Sequence, residues 1–318
     1  MEIYQQAIET LLTHPQTAAW PALAQLCERA RAHKPIAWDF PLVAAKAVGG
    51  KQEAAIPAVG ALTCAHMALI LIDDLLDEDP RGAYHQLGQA RAVNLASALA
   101  ALGIDVLFKS RISQRELAAT MLNELMLRTA HGQDLDVQNA QTEEAYWAVT
   151  RAKSSPYFGA GLYLGALCAD ADIDLATQLK DFGELFGEMM QIHDDLNDCL
   201  ANPANADWLQ GRSPLPILFA IRVPHLQRER FIELRGRVSD PDALAEAQAI
   251  LVSCGAISYS VNELMLRQGL AERLLATISL ADPAPLAALL ASTIAPVKHL
   301  FAKIGADFPQ SLSVGSEM

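Results

Sequence analysis

From Ala54 to Ile72 the chain runs nineteen residues with almost no polarity, and it ends directly on Asp73-Asp74. Two settings tolerate a helix that is apolar on every side: the hydrocarbon of a membrane, and the centre of a large helical bundle. Pro57, Gly60 and His66 interrupt the run, and carboxylates terminate it, so the buried centre is the expectation and a membrane span the alternative. A helix covered all round needs many neighbours, and the rest of the chain supplies them. A 3.6-residue apolar period predicts helices over 2–13, 18–32, 40–48, 54–78, 88–108, 113–132, 142–153, 157–169, 175–200, 214–222, 226–236, 241–253, 257–278 and 284–303. Sustained strand-like alternation is absent. Ala and Leu dominate a composition that is 52% hydrophobic and 6% aromatic, a balance that suits helices better than strands. Pro80 with Gly82, Asn202-Pro203 and Asp282-Pro283 mark breaks. No linker divides the interior, so one all-α domain over 1–304 is expected, followed by a polar C-terminal tail over 305–318.

The formal net charge of −13 argues against a nucleic-acid partner. An acidic protein that binds a phosphorylated ligand must first neutralise its own carboxylates, and metal ions are the usual means. The five cysteines, Cys27, Cys64, Cys168, Cys199 and Cys254, are odd in number and form no CxxC pair, which fits a reducing, cytoplasmic setting. Met1 to Thr13 lacks the basic stretch and long apolar run of a signal peptide.

The acidic end of the apolar helix reads Asp73-Asp74-Leu75-Leu76-Asp77. Asp73 and Asp77, at i and i+4, share a helix face, where like charges repel and weaken the helix. A hard cation between them would reverse that penalty, and Mg²⁺ favours a few carboxylates completed by phosphate oxygens. Taken alone, such a cluster is also what a solvated helix end looks like. The same spacing recurs about 120 residues later in Asp194-Asp195-Leu196-Asn197-Asp198, again at the end of a long helix. Two facing clusters could hold two or three Mg²⁺ around one diphosphate and stabilise the charge that develops as it leaves. Cationic partners are available in Lys153, Arg212 and Arg81. His66 lies two helical turns before Asp73, roughly 10 Å along the axis, and is expected to face the same cavity.

These residues resemble the trans-polyprenyl diphosphate synthases over about 40–220. Both DDxxD clusters stand in the family's order. His131-Gly132-Gln133-Asp134-Leu135-Asp136 is similar to its GQxxD, Tyr146 and Lys153-Ser154 to its tyrosine and Lys-Thr pair, and Met190-Gln191-Ile192-His193-Asp194-Asp195 to its Phe-Gln-x-x-Asp-Asp. Gly211-Arg212-Ser213-Pro214 resembles Gly-Lys-Thr-x-Pro. The resemblance implies a class I isoprenoid synthase bundle around a deep apolar cavity, working as a homodimer. It implies Asp73, Asp77 and Asp194 as Mg²⁺ ligands, supported by Asp74, Asp195 and Asp198. Lys153, Gln191 and Arg212 would be catalytic. With Gln133 and Ser154 they would also hold an allylic isoprenyl diphosphate, its tail in a cavity between helices 54–78, 88–108 and 157–169. Ala68, small and five residues before Asp73, points to a deep cavity.

The departures concentrate on the isopentenyl diphosphate side. The family's Gly-Gly-Lys-Arg-x-Arg-Pro has its counterpart in Pro35-Ile36-Ala37-Trp38-Asp39-Phe40-Pro41, without the Lys and Arg; Lys34 could take their place only in a shifted alignment. Of that acceptor site His66 and Arg81 remain. Each lost charge-assisted hydrogen bond is worth about 1.5–3 kcal/mol, so ionisation of the donor is expected to survive while capture of isopentenyl diphosphate is weakened. Three fates of the cation follow: chain elongation, intramolecular attack as in a terpene synthase, or transfer to another acceptor. A catalytically silent subunit is a fourth reading, opposed by the completeness of both clusters.

Overall fold

The computed structural model describes residues 2–293. Among these residues there are seventeen α-helices and no strand. They are α1 (Ile3–Leu12), α2 (Pro15–Ala18), α3 (Pro21–Ala32), α4 (Phe40–Ala47), α5 (Ile56–Leu76), α6 (Tyr84–Leu87), α7 (Gln89–Lys109), α8 (Arg115–Val137) and α9 (Glu143–Lys153). There follow α10 (Ser155–Cys168), α11 (Ile173–Cys199), α12 (Ala206–Gln210), α13 (Leu215–Arg222), α14 (Arg228–Arg235), α15 (Pro241–Ser253), α16 (Ala256–Thr277) and α17 (Ala284–Ser292). One hydrophobic cluster runs from Tyr4 to Leu290. The expected tail at 305–318, and the second half of the helix expected over 284–303, lie outside the described residues.

At the centre stands α10, every residue of which is buried. Its neighbours approach at backbone distance because the contact positions are glycine. A Cβ on Gly165 would lie 2.2 Å from the Pro41 carbonyl oxygen of α4, and one on Gly183 of α11 would lie 2.7 Å from the Phe158 carbonyl oxygen of α10. The apolar run becomes α5, which takes the buried alternative: α1, α7, α8 and α10 pack around it. By length and composition α5 and α7 could each cross a membrane, with mean hydropathies of 2.0 and 1.5, but most of the α5 window is buried inside the bundle.

The expected helices are present, with corrections at their ends. The helix expected over 113–132 continues to Val137, which puts Gln133 and Asp136 on one helical face. The chain passes from α9 to α10 with only Ser154 between them; Pro156 cannot continue α9 but fits the first turn of a new helix. The short helices α2, α6 and α12 were not expected, since four or five residues show no period. Asp172 caps α11 by accepting from the Leu175 N–H (2.7 Å), and Thr142 caps α9 through the Ala145 N–H (3.2 Å).

Candidate active site

The C-terminal ends of α5, α8, α9 and α11 converge on a cavity of about 380 Å³. Helix C-termini carry partial negative charge, and the side chains they bring are mostly acidic: Asp73 and Asp77 from α5, Asp136 from α8, and Asp194, Asp195 and Asp198 from α11. Asp207 of α12 joins them. Both the backbone and the side chains therefore favour cations here.

Two cations of the chain already sit among these acids. The Lys153 ammonium lies 2.9 Å from Asp73 and 2.6 Å from Asp136. Burial works against its charge, but those two carboxylates outweigh burial and hold its pKa above the usual lysine range. Arg212 lies 2.5 Å from Asp77 and 3.3 Å from Asp136, and burial of its guanidinium is likewise outweighed. Lys153 thus links Asp136 to Asp73, and Arg212 links it to Asp77. Gln133, buried, donates to Asp73 at 3.4 Å. Ser154 donates to the Gln191 side-chain oxygen (2.5 Å), and Gln191 donates onward to Asp195 (2.8 Å).

The second cluster is short of such partners. Burial, with Asp198 beside it, pushes Asp194 up to about 6, and burial with Asp198 pushes Asp207 up to about 6. Asp195 is raised to about 7 by burial, although it accepts from the Leu215 N–H (2.8 Å) and from Gln191. That backbone bond caps α13, so Asp195 is fixed in a structural task as well. Asp198 is also raised, chiefly by burial.

The all-oxygen donor set suits a hard divalent cation. Among the described residues, however, no three His, Cys, Asp or Glu side chains converge into a cage. An ion here would need oxygens from a ligand, as Mg²⁺ sites at phosphates commonly do.

Several expected residues lie elsewhere. Asp74, a quarter-turn round from Asp73, does not line the cavity; burial and Asp79 raise its pKa, and it accepts from the Ala83 backbone. His66 does not reach the cavity either. At its depth in the bundle the ring of Tyr157 stands 5.5 Å from its own, and burial lowers its pKa. Arg81 is 89% exposed and folds back on Asp79, which takes both its backbone N–H (2.7 Å) and its guanidinium (2.7 Å); the short loop permits that turn. Lys34 pairs with Glu2 and lies over the Trp38 ring, 4.5 Å from its centroid. Ala68 is packed in the core, and the acidic cavity is not lined by α7.

Sequence reasoning missed Asp136 and Asp207 as site residues. Asp136 could have been found, because it stands at i+3 from Gln133 once the helix is extended. Asp207 had no such signal, since only the fold of the loop after α11 returns it to the acidic end.

Fold and site define a class: an all-α enzyme with two acidic clusters across one end of a helical bundle. Residues 39–251 match the model of the polyprenyl synthetase family. Among curated proteins, a short chain isoprenyl diphosphate synthase of Methanothermobacter thermautotrophicus is 27% identical, over 71% of this chain and 75% of that one. A geranylgeranyl diphosphate synthase of Methanosarcina mazei is 26% identical over 70% and 72%. Among solved structures, the geranylgeranyl pyrophosphate synthetase of Pyrococcus horikoshii superposes with a TM-score of 0.79 over 92% of this chain and 93% of that one, at 18% identity. That of Geoglobus acetivorans gives 0.78 over 92% and 95%, at 21% identity. At those identities the structures attest the fold; the family match attests more. The chain belongs to the polyprenyl synthetase family and is a prenyltransferase of the isoprenyl diphosphate synthase kind.

Proposed function

We propose that this chain ionises an allylic isoprenyl diphosphate and passes the prenyl cation to an acceptor. The observation that carries this reading is the double pairing of Lys153 and Arg212 with Asp73, Asp77 and Asp136. Each cation is held at the cavity by carboxylates that a divalent ion could take over, which would free the cation for phosphate oxygens. Asp73, Asp77, Asp194 and Asp198 would hold Mg²⁺, two or three ions in all, with Asp207 beside them. Asp195 would act from its fixed position, and Asp74 only after reorienting. Bound Mg²⁺ would supply neutralisation of the departing diphosphate. Lys153 and Arg212 would bind and orient that diphosphate, and Gln133, Gln191 and Ser154 would keep Asp73, Asp195 and the α9–α11 junction in register. Preorganised charge of this kind contributes where charge develops in the transition state.

Elongation with isopentenyl diphosphate is the transfer the resemblance implies; intramolecular attack would make the same ionisation a cyclisation. The test is incubation with Mg²⁺ and geranyl, farnesyl or geranylgeranyl diphosphate, with and without isopentenyl diphosphate, reading diphosphate release and product mass. Release is expected, and Asp73→Ala should slow it by about 10²–10³-fold, the usual cost of removing one stabiliser of developing charge. No release, with Asp73→Ala indistinguishable from wild type, would favour the silent subunit. We further propose a homodimer in the cytoplasm. Unpaired cysteines support a reducing compartment, and apolar side chains such as Leu127 and Phe108 stand exposed on α8 and α7. Sedimentation should give twice the chain's 34.3 kDa, and a monomer would remove the dimer proposal.

A further inference from the structure

The segment between α12 and α13, Gly211-Arg212-Ser213-Pro214, is not helical, yet it carries the second cation of the site. Gly211 makes its turn at a φ of 69°, and the Arg212 N–H closes onto the Asp207 carbonyl (2.8 Å). The Arg212 guanidinium leans on Asp77 and Asp136, with the Gln210 side-chain oxygen accepting from its Nε (3.0 Å). On the reading above, Mg²⁺ takes Asp77 and the diphosphate takes the guanidinium, so that hold is released as the ligand arrives. The loop then needs an anchor that the ligand does not disturb. Helix α14 supplies one. Phe231 and Arg235 stand at i and i+4, on one helical face. Phe231 packs against Trp208 of α12, ring centroids 6.2 Å apart, and the Trp208 indole N–H donates to the Cys199 carbonyl (3.1 Å). That contact lays Arg235 over the end of α12, where its Nη2 donates to the Gly211 and Arg212 carbonyls and to the Ser213 hydroxyl (3.2 Å).

We propose that Arg235, with Asn139 on the other side, positions Arg212: together they hold the 211–213 loop so that the Arg212 guanidinium stays at the cavity when metal and diphosphate take its carboxylates. The inference rests on the donor reading above and adds two residues that act through Arg212 without touching the reacting atoms. Arg235 does not line the acidic cavity. Among the described residues no carboxylate pairs with it, burial pulls its pKa down, and its Nε is buried without a partner. Such a setting is unfavourable for a guanidinium, and the acceptors of this one loop are what offset it. Asn139, just past the end of α8 at a φ of 56°, donates to the same Gly211 carbonyl at 2.9 Å. Neither anchor bonds an acid of the site, so both persist when those acids change partners. The loop's far end is fixed as well, since the Leu215 N–H donates to Asp195. One short segment thereby ties Arg212 to the first acidic cluster and Leu215 to the second.

The test uses the full chain and two readouts. One is the affinity for inorganic pyrophosphate with Mg²⁺, taken from the ligand-induced rise in melting temperature. The other is diphosphate release from geranyl, farnesyl or geranylgeranyl diphosphate, with isopentenyl diphosphate present, well below the melting point of each variant. Arg235→Met keeps the stem and removes the donors. It should weaken pyrophosphate, and lower kcat/KM for the allylic diphosphate, by about tenfold or more, the worth of one charge-assisted hydrogen bond. Arg235→Lys, which keeps one donor, should recover part of both. A double-mutant cycle separates positioning from general support of the fold. In an Arg212→Met background, Arg235→Met should cost less than about threefold, because no guanidinium is left to position. A further tenfold loss there overturns the proposal, and so does an Arg235→Met protein that matches wild type in both readouts. Should Arg235→Met fail to fold, Asn139→Gly removes the other anchor and suits the left-handed backbone. The same cycle applies to it, with loss coupled to Arg212 expected and additive loss overturning the proposal. A wild type that binds pyrophosphate yet releases none from any donor overturns the donor reading, and the pyrophosphate cycle still decides this one.

Discussion

Asp136 is the residue about which the candidate site is arranged, since it pairs with both Lys153 and Arg212. The acids left over are the ones whose protons are displaced from the normal range. Asp194 and Asp207 are each raised to about 6, against roughly 3.9 in an unfolded chain. Between those values the folded chain binds more protons than the unfolded one, so stability falls as pH rises. Their contribution is fully present below roughly pH 4 and is lost as pH passes through the folded value. Metal-free Asp207→Asn should therefore lose less melting temperature than wild type between about pH 5 and about pH 7.5. Identical pH profiles for the two proteins would show that Asp207 is hydrated and unperturbed. At this scale the sequence displayed the carboxylates and the two cations, because spacing alone puts i and i+4 on one face. It could not display their pairing. Arg81 and Arg212 look alike in sequence, yet one turns back on Asp79 in solvent and the other reaches Asp77.

Between elements, the site depends on how closely α8, α9 and α11 approach. A Cβ on Gly132 of α8 would lie 2.3 Å from the Lys153 backbone nitrogen, so this glycine sets the distance between α8 and the end of α9. Gly132→Ala should destabilise the chain by about 1–3 kcal/mol, the usual cost of overpacking, and lower turnover because Lys153 moves away from Asp73. Denaturant unfolding and steady-state rates test this together; lost stability with unchanged turnover would separate that contact from the positioning of Lys153. On the other side, Glu188 of α11 is buried between Arg151 of α9 (2.9 Å) and Arg267 of α16 (2.7 Å), and the Arg267 guanidinium lies 3.4 Å from the Trp147 ring centroid. Such a cluster fixes the register of three helices more than it adds net stability. Periodicity located these helices well. It separated α9 from α10 but missed that α8 runs one turn further and that α10 begins at Ser155, two residues earlier than expected, because where a helix starts or stops depends on what it can pack against.

For the whole molecule, the arrangement predicts how ligands act. Because no three carboxylates converge among the described residues, Mg²⁺ alone should raise the melting temperature little. Mg²⁺ with inorganic pyrophosphate should raise it clearly, by the equivalent of about 2.7 kcal/mol at a hundredfold excess over Kd. Equal shifts with and without pyrophosphate would mean that the acids form a metal cage unaided. The sequence by itself determined the helical class, the burial of α5 as the better of two readings, and both acidic clusters. Each of these follows from period, composition or spacing along a single helix. Tertiary structure decided which acids face each other, that His66 and Arg81 stand outside the cavity, and that Asp136 and Asp207 stand in it. Those are relations between helices distant in sequence, set by glycine contacts and buried pairings whose partners cannot be read from either segment alone.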